Sequence, residues 1–432
     1  MKKNILIIAY AYPPNNVAGA RRPYALTKYF DKNKYKITVI TCQNPDLPTG
    51  ISENFNPDIG GVELIKIKSK IGNSASNLRT LASESKEKKT PFVKFKFLLF
   101  RIGQQLVFPD KAMFWSPNVK AYLKKNKDLI QNAEVVFSTS PGVTNHKIAR
   151  FIKRENPDIQ WIADFRDFNF VENWEGEKGI KAGLHKKLET SIIKEANNLT
   201  FVTQTMQKAY QQFYPKYAQK MHFVYNGLDR DDLQSVSGNS EKSTKISFFY
   251  AGSFYGGLRS PFPLMELLDK SISENRITKE ELLVQIAGNL DEEMRAALKK
   301  FKSYDSIDFL GNLPRKEVLK HMSQASFLWL IVANVKAHYQ TVPIKLFEYI
   351  AARRPIVNFA PIHSESSEII RENKLGYNFN TLDFNLEDSY HQFEELISGF
   401  RRGDYSQPLP NDNLTLFSWE NQIRLIEGLI EN

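Results

Sequence analysis

Lys345 and Glu348 lie three residues apart in KLFEYIAARRP, a stretch of helical composition that follows Pro343. A carboxylate can accept hydrogen bonds from both hydroxyls of a ribose, and a nearby ammonium can bind a phosphate or a sugar. Taken alone, a glutamate or lysine of a helix is more often a solvated surface residue. Other residues must therefore support this pair before it indicates a nucleotide site.

A glycine-rich loop of residues 252–257 (GSFYGG) follows the predicted strand Ile246–Ala251 and leads to Arg259. Glycines let the backbone come close to a ligand, because no side chain stands in the way. A cation at the end of such a loop can neutralise a diphosphate. Gly252, Ser253 and Arg259 are therefore candidate phosphate-binding residues.

Gly19 lies between the predicted first strand, Ile5–Ala9, and a predicted helix, Arg22–Phe30. A glycine at the start of a helix lets the backbone N–H groups of the first turn point at a phosphate. Arg21, or Arg22 beside it, adds a cation for a donor or acceptor phosphate. The GxGxxG pattern of a dinucleotide fold is not met, so NAD binding has no support.

Asp164 ends the predicted strand Gln160–Asp164, at the edge where α/β domains place their functional loops. Its carboxylate can orient an acceptor hydroxyl or act as a base, and Arg166 can instead hold it in an ion pair. His146 begins a predicted helix, Asn145–Glu155. For His146, contact with an acceptor and packing at the start of the helix are equally open.

These residues sit among short apolar runs that alternate with helix-like stretches. A continuous apolar run is typical of a parallel strand that is buried on both faces. Its alternation with helices predicts a parallel α/β sheet. In the first half of the chain the predicted strands are Ile5–Ala9, Lys36–Cys42, Val62–Ile67, Glu134–Ser138, Gln160–Asp164, Leu199–Thr203 and His222–Tyr225.

The polar stretch Gln234–Thr244 has no periodicity and predicts a linker. The alternation restarts after it, which predicts a second α/β domain, and such paired domains commonly bind nucleotide-linked substrates between them. Its predicted strands are Ile246–Ala251, Leu283–Ala287, Ile307–Leu310, Phe327–Ile331 and Ile356–Phe359, and a final amphipathic helix covers Trp419–Ile430.

The composition is that of a globular protein of two or three domains, with 432 residues, 42% hydrophobic and 25% charged. Disordered, collagen-like and coiled-coil classes are thereby excluded. The formal net charge is +11, and the excess lies in residues 1–130, which carry 23 Lys and Arg against 9 Asp and Glu. This basic third favours a polyanionic partner, either an anionic lipid surface or nucleic acid, over a basic face that serves only solubility.

The stretch Pro91–Val107 (PFVKFKFLLFRIGQQLV) places apolar side chains at helical spacing beside Lys94, Lys96 and Arg101. This pattern is typical of an amphipathic helix that lies in a membrane interface. A core helix with solvated lysines is the alternative. Because no nucleic-acid-binding module is recognisable, an anionic membrane surface is the expected partner and nucleic acid is not.

Two further features bear on metals and on the compartment. Asp229-Arg230-Asp231 has the form of a DxD metal motif, but it lies just before the linker, and no His or Cys cluster has ligand spacing. No metal site is therefore expected. The single cysteine, Cys42, fits a reducing compartment, and the longest apolar run, about Ala325–Val335, is too short to span a membrane.

Several stretches, in their order and spacing, together resemble one family. The chain resembles the family 4 glycosyltransferases of the GT-B architecture, in the branch that builds bacterial surface polysaccharides such as lipopolysaccharide and capsule. The matching stretches span nearly the whole chain and are YPPNNVAGARRPYALTKYF (12–30), FPDKAMFW (108–115), STSPGVTNHKIA (138–149), WIADFRDF (161–168), VYNGLDRDDL (224–233), YAGSFYGGLRSP (250–261), IDFLGNL (307–313) and VPIKLFEYIAARRPI (342–356).

The resemblance implies an α/β fold of the GT-B class. Two Rossmann-like domains face a central cleft in that fold, and a C-terminal helix crosses back to the N-terminal domain. The implied boundaries are residues 1–235 for an acceptor-binding domain, 245–413 for a nucleotide-sugar-binding domain and 414–432 for the helix.

The resemblance also implies roles for single residues. The family's matching glutamate binds the ribose, which assigns that role to Glu348. Gln340 stands where many members carry a second glutamate that holds the donor sugar, and Ser253 stands where many carry a basic residue. Arg259 then carries more of the phosphate charge. Asn226 matches the family's turn near the hinge and the nucleotide.

The implied activity is transfer of a sugar, as in hexosyltransferases, from a UDP- or GDP-linked donor to a lipid-linked or oligosaccharide acceptor. The family implies retention of the anomeric configuration, and no metal or separate cofactor is expected, since the nucleotide sugar is a substrate. The implied location is cytoplasmic, peripheral at the inner face of the plasma membrane. A sugar-nucleotide epimerase of the same fold and a non-catalytic membrane-associated assembly subunit are the alternatives.

Overall fold

The computed structural model describes residues 2–15, 17–45, 57–70, 107–167, 179–229, 243–405, 409 and 412–431. The chain divides into two compact units, one of Met1–Val224 with Ile423–Asn432 and one of Tyr225–Gln422. Three sequence predictions lie largely outside the described residues: the segment Pro91–Val107, the linker Gln234–Thr244 and residues 230–231 of the DxD-like motif.

The described residues of the first unit form a seven-stranded parallel sheet. Its strands are β1 (Lys3–Ala9), β2 (Tyr35–Cys42), β3 (Val62–Ile67), β4 (Val135–Thr139), β5 (Gln160–Phe165), β6 (Asn198–Phe201) and β7 (Met221–Phe223). They lie in the order β3-β2-β1-β4-β5-β6-β7. Because the chain order reverses beside β1, the carboxyl ends of β1, β4 and β5 form the edge where such sheets bind ligands.

The described residues of the first unit contain six α-helices before residue 225, and those that the sequence predicts begin earlier than expected. The six are α1 (Ala18–Tyr29), α2 (Ser116–Lys125), α3 (Lys127–Gln131), α4 (Val143–Glu155), α5 (Ile180–Glu195) and α6 (Gln204–Phe213). The prediction that Gly19 precedes the first helix is wrong, since α1 already includes it. The residues AGARRP contain a glycine and Pro23, which predict a later start, but Pro23 is accommodated inside α1.

The second unit contains a six-stranded parallel sheet within the described residues. Its strands are β8 (Ile246–Ala251), β9 (Leu282–Ala287), β10 (Ile307–Gly311), β11 (Phe327–Ile331), β12 (Ile356–Ala360) and β13 (Gly376–Asn380), in the order β10-β9-β8-β11-β12-β13. The sequence did not predict β13, because GYNFN has the glycine and asparagine content of a turn. A Cβ atom on Gly376 would lie 2.0 Å from the Ile356 carbonyl oxygen, so this strand start requires glycine.

The described residues of the second unit contain eight α-helices before residue 419, six that lie between strands and two that follow β13. They are α7 (Phe262–Ser273), α8 (Glu292–Leu298), α9 (Arg315–Gln324), α10 (Lys336–Tyr339), α11 (Ile344–Ala352), α12 (Glu365–Glu372), α13 (Leu386–Arg402) and α14 (Asp412–Leu416). Side-chain oxygens cap several first turns, as at Asp291 before α8 and Ser364 before α12. Among the described residues, none of the helices is long and apolar enough to cross a membrane.

The core of the second unit shows why its strands read as continuous apolar runs. Phe248 and Tyr250 of β8 pack in one buried cluster with Trp329, while Phe249, between them, packs in another with Leu328. Successive side chains of one strand therefore enter cores on opposite faces of the sheet. Each large apolar side chain buried this way contributes roughly 1.5–3 kcal/mol to stability.

The last helix, α15 (Trp419–Glu431), begins in the second unit and ends in the first. Its final turns are held by residues of the first unit. The Lys3 ammonium donates to the Ile430 carbonyl at 3.2 Å, the Gln160 amide to the Leu429 carbonyl at 2.6 Å, and the Asp31 backbone N–H to Glu427 at 2.9 Å. The C-terminal segment is thus part of the first unit, although the rest of that unit precedes residue 225.

Candidate functional site

Gly252 and Lys345 approach each other at the carboxyl edge of the second sheet. Gly252 directly follows β8 with a φ of 144°, in the region that favours glycine. A Cβ atom at this position would lie 2.6 Å from Lys345 Nζ. Lys345 is the second residue of α11, which starts after Pro343, and its amine lies directly against the backbone of Gly252.

The side-chain nitrogen of Lys345 is buried, and its surroundings shift its pKa. Burial lowers its pKa well below the usual value, the Arg259 charge lowers it further, and the Glu348 carboxylate opposes the shift. Among the described residues Nζ has no hydrogen-bond partner, and it lies 4.2 Å from the centroid of the Tyr250 ring. An unpaired buried donor costs about 1–3 kcal/mol. An anionic ligand would remove this cost and raise the pKa again.

Arg259 is held by the glycine-rich loop that follows β8. Its backbone N–H donates to the Phe254 carbonyl at 3.1 Å, and its guanidinium carbon lies 4.6 Å from the centroid of the Tyr255 ring. Tyr255, Gly256 and Gly257 are three consecutive residues with positive φ, at 50°, 60° and 89°. This left-handed run turns the loop back so that Tyr255 and Arg259 stack.

Burial raises the pKa of Tyr250 to about 12, although the charge of Arg259 and a hydrogen bond from it act in the opposite direction. The Tyr250 hydroxyl itself donates to the Ser253 carbonyl at 2.9 Å. Arg259, Lys345 and the start of the loop are thus brought together around one tyrosine. The sequence predicts these residues as phosphate ligands but does not predict that Tyr250 lies between them.

Glu348 lies one helical turn after Lys345 and is held by a residue that the sequence reading missed. Arg315 Nη1 donates to Glu348 Oε1 at 2.6 Å, and the side chains of Arg315 and Glu348 are 38% and 18% exposed. Arg315 is the first residue of α9, just beyond β10. Its position after a predicted strand, at the sheet edge that binds ligands, is the signal that could have found it.

The remaining predicted residues of the second unit are Ser253, Gln340 and Asn226. The Ser253 hydroxyl accepts from the Tyr255 N–H at 3.1 Å, so it shapes the loop. Gln340 is buried directly after α10, on the approach to α11. Asn226 precedes Gly227, where a Cβ atom would lie 2.7 Å from the Trp419 ring, so the predicted turn requires a glycine.

Asp164 and Arg22 form a buried ion pair in the first unit. Arg22 Nη2 donates to Asp164 Oδ1 at 2.8 Å and Nε to Oδ2 at 2.9 Å, with side chains 1% and 0% exposed. The neighbouring strands place Thr139 and Thr200 in register with Asp164, and each hydroxyl donates to it at 2.7 Å. The hydrogen-bonded ion-pair partner of Asp164 is therefore Arg22, while the charge of Asp164 also acts on Arg166, the partner that the sequence offered.

Burial raises the pKa of Asp164, but the Arg22 charge and the hydrogen bonds from Arg22, Thr139 and Thr200 outweigh it and hold the pKa below its usual value. The carboxylate is thus ionised, saturated and shielded from solvent. This geometry favours a positioning role for Asp164 over the direct contact with an acceptor that the sequence predicted.

His146 is completely buried as the fourth residue of α4. Its Nδ1 shares a hydrogen bond of 2.8 Å with the Ser138 hydroxyl, which also accepts from Trp161 Nε1, and its ring stacks on Phe165 at 4.9 Å. Burial lowers the pKa of His146 to about 4, although the charge of Asp164 opposes this. Of the two readings left open, the structure favours packing inside the unit.

Gly19 and Arg21 lie in the first turn of α1, beside Arg166. Arg166 Nη1 donates to the Gly19 carbonyl at 2.8 Å and to the Ser140 carbonyl at 3.1 Å. A Cβ atom on Gly19 would meet Pro141 at 3.5 Å, an ordinary contact. Arg21 is half-buried, in contrast to Arg22 next to it. Their phosphate-binding role stays a prediction.

The predicted site residues therefore fall into two groups. Gly252, Ser253, Arg259, Lys345 and Glu348 converge in the second unit, whereas Asp164, His146, Gly19 and Arg21 belong to the first. Within the part of the chain that the structure describes, no group of three His, Cys, Asp or Glu side chains could hold a metal ion.

Comparisons with known proteins add to this geometry. Neither a scan against protein-family models nor a search of curated protein sequences gives a match. Among solved structures, the chain is similar to a glycosyltransferase from Rickettsia africae ESF-5, with a TM-score of 0.64 and 13% identity over 100% of this chain and 98% of that one. It is similar to a sucrose-phosphate synthase from Thermosynechococcus elongatus, with a TM-score of 0.60 and 14% identity over 100% and 98%.

The chain is also similar to a putative UDP-N-acetylglucosamine 2-epimerase from Listeria monocytogenes, over 100% of this chain and 96% of that one. Its TM-score is 0.52 and its identity 9%. At these identities the likeness establishes the fold. The two parallel α/β units belong to the GT-B class, which confirms the fold class predicted from the sequence.

Proposed function

We propose that this protein is a glycosyltransferase that binds a nucleotide-sugar donor in its second unit. The observation that carries the proposal is the buried, unpartnered ammonium of Lys345, with Arg259 beside it and Gly252 against it. Two cations around an open backbone suit a diphosphate. The GT-B fold supports the proposal, because the similar structures include glycosyltransferases.

The chemistry assigned to each residue follows from its charge. The bond between the anomeric carbon and the diphosphate breaks, and the acceptor hydroxyl forms the new bond, so that the products are a glycoside, a nucleoside diphosphate and a proton. Lys345, Arg259 and the first-turn N–H groups of α11 stabilise the charge that grows on the diphosphate. Glu348, oriented by Arg315, accepts the hydrogen bonds of the ribose hydroxyls.

The finer assignments belong to the same proposal. They are a UDP- or GDP-linked hexose, retention of anomeric configuration and catalysis without metal. The acceptor is a lipid-linked or oligosaccharide glycan in the synthesis of surface polysaccharide, met at the cytoplasmic face of a membrane. The basic excess of residues 1–130 supports an acceptor at an anionic surface.

The test is a binding and turnover screen with nucleotide sugars. Calorimetry is expected to show binding of one nucleotide class by the full chain, and Lys345→Met is expected to weaken it at least about tenfold. Lys316→Met, which changes an exposed lysine of the same unit, serves as the matched control. Turnover that persists in a chelator supports metal independence. If no nucleotide sugar binds or turns over, the protein is not an enzyme of this kind and the non-catalytic assembly subunit becomes the better reading.

An epimerase is the second candidate, because the fold is shared with the epimerase described above. The two activities differ in their products. A transferase releases a nucleoside diphosphate and needs an acceptor, whereas an epimerase returns a nucleotide sugar of altered configuration without one. Chromatography of the products, with and without an added lipid-linked or oligosaccharide acceptor, distinguishes them.

A further inference from the structure

One face of α5 presents apolar side chains to solvent. Ile180 has an exposed fraction of 87% and Leu184 one of 46%. They are one turn apart, so they lie on the same side of the helix. Lys187 and Lys194 continue that side at the next turns and are both exposed. We call these four residues the α5 stripe.

The outward charge of α5 comes from its lysines, because both of its acidic residues are engaged within the unit. Glu189 is 1% exposed and accepts hydrogen bonds from the hydroxyls of Tyr210 and Tyr214, at 2.9 and 3.0 Å. Glu195 pairs with Arg150 at 2.6 Å and with Arg154 at 3.0 Å. The stripe is therefore apolar at its N-terminal end and cationic at its C-terminal end.

The neighbourhood of the stripe extends this character. Lys181 follows Ile180 and adds a cation beside the apolar end. The ring of His185 on α5 contacts Phe108 edge to face, with centroids 4.7 Å apart. Phe108 directly follows the predicted amphipathic segment Pro91–Val107. The chain thus leaves that segment at a point that touches α5, independently of how the segment itself folds.

We propose that the α5 stripe is a docking surface for an anionic lipid bilayer. Ile180 and Leu184 enter the boundary between headgroups and acyl chains, and Lys181, Lys187 and Lys194 lie among anionic headgroups. Apolar side chains flanked by lysines are the composition of interfacial helices. Protein interfaces are instead depleted in lysine and enriched in aromatic residues and arginine, neither of which occurs in the stripe.

This inference does not depend on the nucleotide site, which lies in the other unit. It does give the proposed lipid-linked acceptor a physical route to the protein. A failure of membrane binding with intact nucleotide binding would overturn the docking surface alone. A failure of nucleotide binding with intact membrane binding would overturn the transferase alone.

The first experiment removes the apolar end. The full chain is floated with vesicles of phosphatidylcholine alone or mixed with phosphatidylglycerol. The wild-type chain is expected to float with the mixed vesicles and to stay in solution with the neutral ones. Ile180→Ser with Leu184→Ser is expected to weaken binding about tenfold or more, since two apolar side chains no longer leave water.

A matched double variant distinguishes this surface from nonspecific binding through any exposed apolar side chain. Phe213 and Leu425 are exposed by 57% and 47% in the same unit. Phe213→Ser with Leu425→Ser is expected to float as the wild type does. An equal loss in both double variants, or none in the α5 variant, would overturn the assignment to α5.

The second experiment removes charge without changing size greatly. Lys181→Gln with Lys187→Gln is expected to lower binding to the anionic vesicles about 25-fold, at about fivefold for each lysine. Lys299→Gln with Lys300→Gln, two exposed lysines of the other unit, makes the same change in net charge and is expected to have little effect. Wild-type binding that is equal for neutral and anionic vesicles, or absent for both, would also overturn the proposal.

Discussion

Each unit buries a cation near the carboxyl edge of its sheet, but the two cations are treated in opposite ways. In the first unit Arg22 forms an ion pair with Asp164. The threonine hydroxyls in register on both neighbouring strands donate further hydrogen bonds to the same carboxylate. In the second unit Lys345 has an aromatic ring and a glycine backbone beside it, and its ammonium has no hydrogen-bond partner among the described residues. The same edge of the same type of sheet thus holds one satisfied charge and one unsatisfied charge.

This difference separates stability from binding. In a saturated buried pair the two charges already compensate each other in the folded protein. No unpaired charge then remains to bind a ligand. An unpaired ammonium costs free energy on folding, and a ligand that brings negative charge recovers that cost on binding. The comparison therefore favours a structural role for the first centre, and it supports the proposed ligand-binding role of the second.

Removing the carboxylate of the first centre tests this assignment with the largest expected effect. Asp164→Ala removes the carboxylate that the buried Arg22 pairs with and is expected to lower the free energy of unfolding by about 3–5 kcal/mol. Urea denaturation of the purified protein measures the change. If the variant does not accumulate as folded protein, Arg22→Met with Asp164→Leu is expected to restore folding, because an apolar pair of similar volume replaces the charges. A fully stable Asp164→Ala protein would mean that the pair is not structural.

The buried histidine of the same unit sharpens the comparison through pH. Its pKa of about 4 in the folded protein lies below the value of about 6.5 in an unfolded chain. The unfolded chain therefore binds more protons between these values. Stability is complete above about pH 6.5 and is lost as the pH falls toward 4, by about 3 kcal/mol in total.

The measurement is urea denaturation across this pH window, with His146→Gln as the comparison. The variant starts from a lower stability, because the contact with Ser138 and the stacking on Phe165 are altered. Its dependence on pH is expected to be flatter by the contribution of the histidine. An equal slope in both proteins would show that His146 is not buried in its neutral form.

Lys345→Met tests the second centre, where stability and binding are expected to move in opposite directions. Removal of the unpaired ammonium is expected to raise the free energy of unfolding by about 1–3 kcal/mol, and loss of the charge-assisted contact to weaken nucleotide binding at least about tenfold. Thermal unfolding and calorimetry on the same preparations measure both. A variant that loses stability as well would place Lys345 with the structural cations.

The pH dependence of nucleotide binding gives an independent check on Lys345. Its pKa is lowered in the free protein, chiefly by burial, and a bound diphosphate would raise it again. The complex then holds more protons than the free protein between these two values, so affinity is expected to fall as the pH rises through that window. Proton uptake on binding, seen by calorimetry in buffers of different ionisation enthalpy, is the signature, and Lys345→Met is expected to lose it.

The two centres were not equally visible in the sequence. Gly252, Arg259, Lys345 and Glu348 could be predicted because strand ends, a glycine-rich loop and a helix start are local patterns. The twelve strands with apolar runs were visible for the same reason, whereas β13 (GYNFN) was not, since its side chains lack that pattern.

Pairing between distant residues could not be predicted in either centre. Arg166 is near Asp164 in sequence, yet Arg22, 142 residues away, is its partner, because the sheet order puts β5 and the start of α1 at the same edge. Arg315 holds Glu348 for the same reason, across 33 residues. Charge type and spacing indicate which residues do chemistry, but the order of the strands decides which of them meet.

The smallest expected effect concerns Arg259, the cation beside Lys345, and the tyrosine ring on which it stacks. Tyr255 is 59% exposed and keeps a φ of 50°, a conformation that costs a side chain about 1–2 kcal/mol. Its ring stacks on Arg259, which is worth about 0.5–1 kcal/mol at an exposed site. The loop therefore keeps a strained tyrosine where glycine would fit. We expect the ring to offset this strain by holding the Arg259 guanidinium in position for the ligand.

Tyr255→Gly is accordingly expected to stabilise the protein while weakening nucleotide binding about two- to fivefold. Tyr255→Phe, which keeps the ring, is expected to bind as the wild type does. Leu258→Ala, at an equally exposed site of the same loop (52%), is the control and is expected to change neither quantity. If the glycine variant binds nucleotide as well as the wild type, the Tyr255 ring is not needed to position Arg259. The second centre would then rest on Lys345 and the backbone at Gly252 alone.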